Sequence, residues 1–305
     1  MAVQRVDYRF WKKYVLLFFI AALGLLFLAL ISDIGEGYDK ASRWISVGGF
    51  SFQPSEIFKL AFVLYLAAWL EKKGKEVDNF SAVMIPFITI LALVGILLIK
   101  QPDIGTLGVI IVAAMAIYFA AGAKISHLLI IVSAGIAAFW GLIKMAPYRM
   151  DRLTVFLHPE TDPQGIGYQI NQALLALGSG GFFGLGLGHS RQKYNYLPEP
   201  IGDSIFAIIG EEVGFIGLLI LLALFVIFAW RGFKIAQAAP DTFGKLAAVG
   251  ITSWLTFQAL MNIMAITSLI PLTGIPLPFI SYGGSALVTS LLGVGILLSI
   301  SRYGK

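Results

Sequence analysis

Asp203 is the residue whose type and position most readily suggest chemistry. It stands in Ile201-Gly-Asp-Ser204, where a long polar loop runs into an apolar stretch. An aspartate there can cap the coming helix, worth about 1 kcal/mol, or serve as a carboxylate base, and spacing supports both readings equally. Glu211 and Glu212 follow about two turns into the same stretch. Ionisable groups at that depth are costly and pair with polar partners, so at least one should face the interior. Glu56 and Lys59 lie three apart, on one helical face, behind a first-turn Pro54. They read either as a local ion pair at a helix end or as a cation aimed into a polar cavity. Arg43 precedes them, and Arg191 and Lys193 precede Asp203. Gln101-Pro-Asp103 joins two apolar stretches. Ser281, Gly283, Gly284 and Ser285 open the last one, where free N–H groups at a helix start suit an anion or simply begin a helix after an irregular loop. The Gly178–Gly188 run matches a phosphate loop only weakly, since no strand precedes it and no Lys-Ser/Thr follows. A flexible re-entrant turn is the better reading. With no cysteine and three scattered histidines, neither thiolate chemistry nor a metal-ligand cluster is expected.

Those residues must be held by membrane helices. Of 305 residues, 58% are hydrophobic and only 13% charged, about half the charge of a soluble domain, and the mean hydropathy is +0.85. This excludes a soluble enzyme, a disulfide scaffold and a disordered chain. A bilayer core of roughly 30 Å needs about 20 apolar residues per helix. Eight stretches qualify, near 13–32, 54–71, 82–100, 104–122, 125–146, 204–230, 246–270 and 284–301. The second is weakest, because Glu56 and Lys59 precede its short uncharged run. No strand alternation persists, so a barrel is not expected. The first stretch follows four basic residues but is too long for a signal peptide and has no clean cleavage site after it. The expected fold is therefore an all-α polytopic bundle, a single domain over 1–305, with a large outer loop at 147–203.

Charge orients the bundle. Eight spans put both termini on one side. That side carries 13 of the 22 Lys and Arg but 5 of the 17 acids, a net of +8, against −3 on the other. The positive side is cytoplasmic, so both termini are. The long loops, 33–53 and 147–203, then lie outside, where the chemistry or the partner must be. In the larger one, Ile170 to Leu177 reads as a short interfacial helix.

Five stretches taken in order resemble one family: RWISVGGFSFQPSEIFKLA (43–61), QPDIGT (101–106), GYQINQALLALGSGGFFGLGLG (167–188), SRQKYNYLPEP with GDSIFAIIGEEVGF (190–215), and PLTGIPLPFISYGGSAL (271–287). They cover most of the chain and resemble the shape, elongation, division and sporulation (SEDS) family, which includes FtsW, RodA and SpoVE. The SRQK–YLPE stretch and APDTFGK (239–245) look more like FtsW than RodA. The resemblance implies a peptidoglycan glycosyltransferase of the bacterial cytoplasmic (inner) membrane, polymerising lipid II on its outer face in division. It implies a class B penicillin-binding transpeptidase and other divisome membrane proteins as partners, and no nucleic acid. It makes Asp203 the essential acid and pairs Lys59, beside Glu56, with that aspartate in a central cavity. No cofactor is required by the resemblance, which leaves room for a divalent cation.

The implied reaction suits the residues. A sugar hydroxyl of one lipid-linked disaccharide attacks the anomeric carbon of another with inversion. The polyprenyl pyrophosphate leaves as a stable anion, so no general acid is needed, unlike the carboxyl pair of most glycosidases. Asp203 would be the base, and Arg43, Lys59, Arg191 or Lys193 could neutralise the departing charge. Gln101, Asp103, Glu212 and the Ser281–Ser285 turn would line the cavity. Two departures stand out. Ile201 and Gly202 replace the family's usual His-Thr before the aspartate. The match also begins just before the family's third helix, so the chain reads as two helices short of the usual ten: a fragment, a misplaced start or a natural short form. A lipid-linked-precursor flippase or transporter and a non-catalytic division scaffold are the competing functions.

Overall fold

The computed structural model describes residues 3–31, 43–47, 50–145, 147–161, 165–194 and 196–304. Residues 33–42 and 48–49 of the first expected outer loop lie outside them. The described residues form an all-helical polytopic membrane bundle of ten α-helices: α1 (Tyr8–Ile31), α2 (Pro54–Lys73), α3 (Ile85–Lys100), α4 (Ile104–Ala120), α5 (Ile125–Met145), α6 (Pro147–Leu157), α7 (Ile166–Ser179), α8 (Ile205–Ala238), α9 (Thr242–Ile266) and α10 (Gly284–Tyr303). Eight correspond to the expected spans. α1, α8, α9, α10 and the Phe80–Lys100 helix, which enters α3 through a π-turn, are long and apolar enough to cross a bilayer. α8 runs eight residues past its expected end, because Arg231 and Lys234 continue the helix beyond the apolar stretch. α6 was not anticipated. It is short and carries Arg149, Asp151 and Arg152, so it has no span signature. A two-stranded hairpin, β1 (Ile45–Val47) and β2 (Phe50–Phe52), pairs Ile45 with Phe52 and Val47 with Phe50. Three residues per strand are too few to register as alternation in a sequence.

The chain divides into two compact units, one of residues 1–131, 228–257 and 284–305, the other of residues 132–227 and 258–283. In the first unit α2 is the central helix. Phe58, Leu60, Phe62, Leu64 and Leu66 are all essentially inaccessible. Phe19 of α1 stacks on Tyr65 with ring centroids 4.1 Å apart. A side chain at Gly250 of α9 would collide with Val63 and Ile117, so glycine there lets α9 close on α2 and α4. α1 turns Leu16, Leu17 and Ile20 outward, the surface expected where lipid is the solvent.

The second unit packs α7, the first turns of α8 and the end of α9 around Ala173, Ala176, Phe206, Ala207, Ala259 and Ile263. α8 is broken at Gly214, whose φ of 68° and ψ of −172° are not helical. The break frees backbone groups that must be satisfied away from water. The glycine-rich segment does so. Leu185 and Gly186 donate N–H to the Glu211 and Glu212 carbonyls at 2.9 and 3.0 Å, while Phe215 and Ile216 donate to Gly181 and Phe182 at 2.9 and 3.1 Å. A Cβ at Gly184 or Gly214 would run into the facing backbone. The run expected to be a flexible turn is thus pinned along α8, and close backbone approach explains its glycines.

Candidate functional site

Asp203 sits half-buried just before α8. The residue immediately preceding the helix is Ser204, whose Oγ donates to the Pro198 carbonyl and accepts from Gln169 Nε2 of α7. The backbone around Asp203 is held from three sides. Asn262 Nδ2 of α9 donates to the Asp203 carbonyl at 2.8 Å. Ser281 Oγ donates to the Gly202 carbonyl, also at 2.8 Å, and Tyr282 N donates to the Ile201 carbonyl. Ile201 and Gly202 thus accept these hydrogen bonds through their carbonyls, which any residue type supplies. The Ser281 hydroxyl also accepts from Leu277 N at 2.7 Å, closing the turn before α10.

The Asp203 side chain lines a cavity of about 90 Å³ with Arg152, Gln169, Asn262, Thr273 and Gly274. Gly274 adopts φ +67°, and a Cβ there would lie 3.3 Å from Asp203 Oδ2, so glycine keeps the carboxylate uncrowded. Arg152 Nη1 donates to the Leu272 carbonyl, which fixes a guanidinium in the same cavity. A carboxylate, a guanidinium, two amides and a hydroxyl make a site for a polar, hydroxyl-bearing ligand. The Arg152 charge makes it a poor host for a divalent cation, and among the described residues no group of three His, Cys, Asp or Glu could hold a metal.

The other nominated residues form three clusters. In the first unit, Glu56 and Lys59 make a buried ion pair at 2.8 Å, with Lys59 Nζ 5.4 Å from the Trp254 ring centroid. Arg43 donates to the Gln101 and Pro102 carbonyls, and Gln101 Nε2 donates to the Leu26 carbonyl. Asp103 caps α4 by accepting from Thr106 N at 3.2 Å and faces Ser55 Oγ at 3.4 Å. These residues tie α1, α2, α4 and the hairpin entry together. Ser285 accepts from Gln53 N, linking the starts of α10 and α2.

In the second unit the tandem glutamates hold the loop ahead of Asp203. Glu211 is buried and accepts from Ser190 Oγ, Arg191 N and Gln192 N. Glu212 accepts from Lys193 Nζ at 2.8 Å. That hydrogen bond raises the Lys193 pKa above its ordinary value, despite partial burial. Arg191 points its backbone inward and is itself exposed. Asp203 belongs to one unit and Glu56 and Lys59 to the other. Gly283 and Gly284 sit at the start of α10.

Sequence reasoning missed Arg152, Gln169, Asn262 and Thr273. Asn262 and Gln258 stood out in principle, as polar residues four apart inside an apolar helix. Arg152 carried no signal beyond its charge.

Comparison with known proteins bears on all of this. The family model described as a cell cycle protein, FtsW/RodA/SpoVE, matches residues 1–305. Among curated relatives, "Stage V sporulation protein E" of Bacillus subtilis is 45% identical over 99% of this chain and 83% of its own length. "Probable peptidoglycan glycosyltransferase FtsW" of Trichlorobacter lovleyi is 42% identical over 99% of this chain and 79% of its own. Among solved structures, one described as the structural coordination of polymerization and crosslinking by a peptidoglycan synthase complex superposes with a TM-score of 0.81 at 27% identity, covering 99% of this chain and 84% of that one. The rod shape determining protein RodA of Thermus thermophilus gives a TM-score of 0.67 at 28% identity, covering 99% and 82%.

Proposed function

The chain belongs to the FtsW/RodA/SpoVE family of cell cycle proteins, and from that premise we propose that it polymerises lipid II with Asp203 as the base. In reaction class it is a peptidoglycan glycosyltransferase, as its FtsW relative is named. One observation carries the assignment of the base. Asp203 is the carboxylate of a small polar cavity, its main chain anchored by Asn262 and its Oδ2 facing Gly274, where a Cβ would come within 3.3 Å. A base must lie within hydrogen-bond reach of the proton it takes, and an acceptor hydroxyl entering this cavity meets Asp203. The pyrophosphate departs without a proton, so the remaining need is positive charge near its path. Arg152 supplies one such charge in the same cavity.

Polymerisation takes place on the outer face of the cytoplasmic membrane, with both termini of this chain inside. The support is the +8 to −3 charge asymmetry. The physiological setting is division, supported by the FtsW-like SRQK–YLPE and APDTFGK stretches; the 45% identity to a sporulation protein makes spore formation the alternative to test. The partner is a class B penicillin-binding transpeptidase, supported by the likeness to a member of a peptidoglycan synthase complex.

The test is polymer formation from lipid II by purified protein. Asp203→Asn keeps size and polarity but not basicity, so glycan synthesis should vanish while membrane insertion and melting stay as in the parent. Unchanged polymer from the variant would overturn the assignment.

A further inference from the structure

Asn262 lines the Asp203 cavity and uses only one end of its amide in hydrogen bonds. Its Nδ2 donates to two carbonyls, those of Asp203 and Ile275, each at 2.8 Å. Two carbonyl acceptors on one side settle the amide's orientation, because the oxygen there would face like partial charges. The opposite end is then Oδ1. That oxygen is buried with no hydrogen-bond partner among the described residues, on a side chain only 2% exposed. Thr273 Oγ1 lines the same cavity and is likewise buried without a partner among the described residues. A native interior rarely tolerates unsatisfied polar atoms, and each calls for an explanation. Two of them here belong to residues that line one cavity with Asp203.

We infer that Asn262 and Thr273 form a subsite for a non-reacting hydroxyl of the acceptor sugar, orienting the attacking hydroxyl toward Asp203. The inference rests on the polymerase reading and adds which residues position the acceptor. The chemistry follows from the atoms. Asn262 Oδ1 only accepts, so its ligand donates, as a sugar hydroxyl does. Thr273 Oγ1 both donates and accepts, which suits the same or an adjacent hydroxyl. The cavity volume of about 90 Å³ holds several waters, enough for a hydroxyl-bearing edge of a sugar. The acceptor rather than the donor sugar is implicated because Asp203 must take the acceptor's proton. Asn262 is then a positioning residue in two senses: it holds the main chain of the base and it receives the substrate.

The experiment uses the purified full chain with lipid II and with acceptor analogues that each lack one non-reacting hydroxyl. Thr273→Val is the primary variant, because it preserves shape and breaks no described hydrogen bond. It should melt like the parent and raise KM for the acceptor about 3- to 10-fold with kcat nearly unchanged, the effect of one neutral hydrogen bond. Asn262→Ala should lower kcat/KM by about 10- to 100-fold, since it removes both the substrate contact and the anchor of Asp203. At least one deoxy analogue should be a poor acceptor for the parent and no worse for the matching variant than the intact acceptor. The inference is overturned if every analogue is penalised equally by parent and variants, or if Thr273→Val keeps the parental KM. Should Asn262→Ala fail to fold, the Thr273→Val series alone decides. An inactive parent chain would instead remove the polymerase reading, and this subsite with it.

Discussion

Removing one member of the Glu56–Lys59 pair should cost far more than removing both. The two side chains are 2% and 1% exposed and their charges are 2.8 Å apart. They sit on α2, where 14 of the 20 residues are buried. Lys59→Met keeps most of the buried stem but strands the Glu56 carboxylate, whose Oε2 already lacks a hydrogen-bond partner among the described residues. An uncompensated buried charge costs about 3–5 kcal/mol. Glu56→Gln removes the carboxylate 2.8 Å from the ammonium but leaves its other contacts, the Trp254 ring 5.4 Å from Nζ among them, so it should cost less than Lys59→Met. The double variant Glu56→Gln/Lys59→Met carries no charge to desolvate and should lie within about 1 kcal/mol of the parent. At about 2–4 °C per kcal/mol for domains of 150–250 residues, Lys59→Met should melt about 10 °C lower and the double variant within about 4 °C. The assay is melting of the purified protein in one detergent. A double variant that melts no higher than Lys59→Met would refute the argument, because coupling through shared burial requires the second substitution to rescue the first.

Two further outcomes follow from the clusters outside the cavity. Glu211→Ala should destabilise by about 3 kcal/mol and raise hydrogen exchange at residues 190–193, since it removes three hydrogen bonds to a buried carboxylate. Glu212→Gln should change stability by less than about 1 kcal/mol, because its pair with Lys193 is partly exposed; equal effects from the two would show that the loop is not held as described. Asp241 should set an acid limit. Burial works to raise its pKa, but hydrogen bonds from Tyr8 at 2.6 Å, Gly244 N and Arg9 outweigh it and hold the carboxyl below its usual range. A depressed native pKa gives stability that is fully present above the unfolded value, about 3.9, and is lost as pH falls through the lower native one. Asp241→Asn should therefore lower the melting temperature at pH 6 and lose part of the decline that sets in below about pH 4; parallel curves for variant and parent would contradict this.

Much of the architecture was legible because the bilayer imposes a simple code. A span needs about 20 apolar residues, so the eight apolar stretches mark their helices, including α2 despite its charges. α6 and the 45–52 hairpin escaped, since a short amphipathic helix and three-residue strands leave no comparable signature. The glycines of 178–188 are visible as a turn-prone run, but their partner is the broken turn of α8 at Gly214, far along the chain. No local pattern announces that pairing.

The same divide runs through the site. Residue type and position at a loop–helix junction single out Asp203, and helical spacing puts Glu56 and Lys59 on one face; both follow from local geometry. The sequence also determined the charge asymmetry and the family, which depend on composition and order alone. Only the tertiary structure decided what surrounds Asp203. Arg152, Gln169, Asn262 and Thr273 come from α6, α7, α9 and the turn after α9, and they meet because those elements pack, not because their spacing is regular. It also decided what each charge touches: Arg43 two carbonyls, Glu211 the Ser190 turn, Lys193 the Glu212 carboxylate. A charge in a sequence has only a sign. Its partner, and so its role, is set by which backbone and side-chain groups folding leaves within about 3 Å of it.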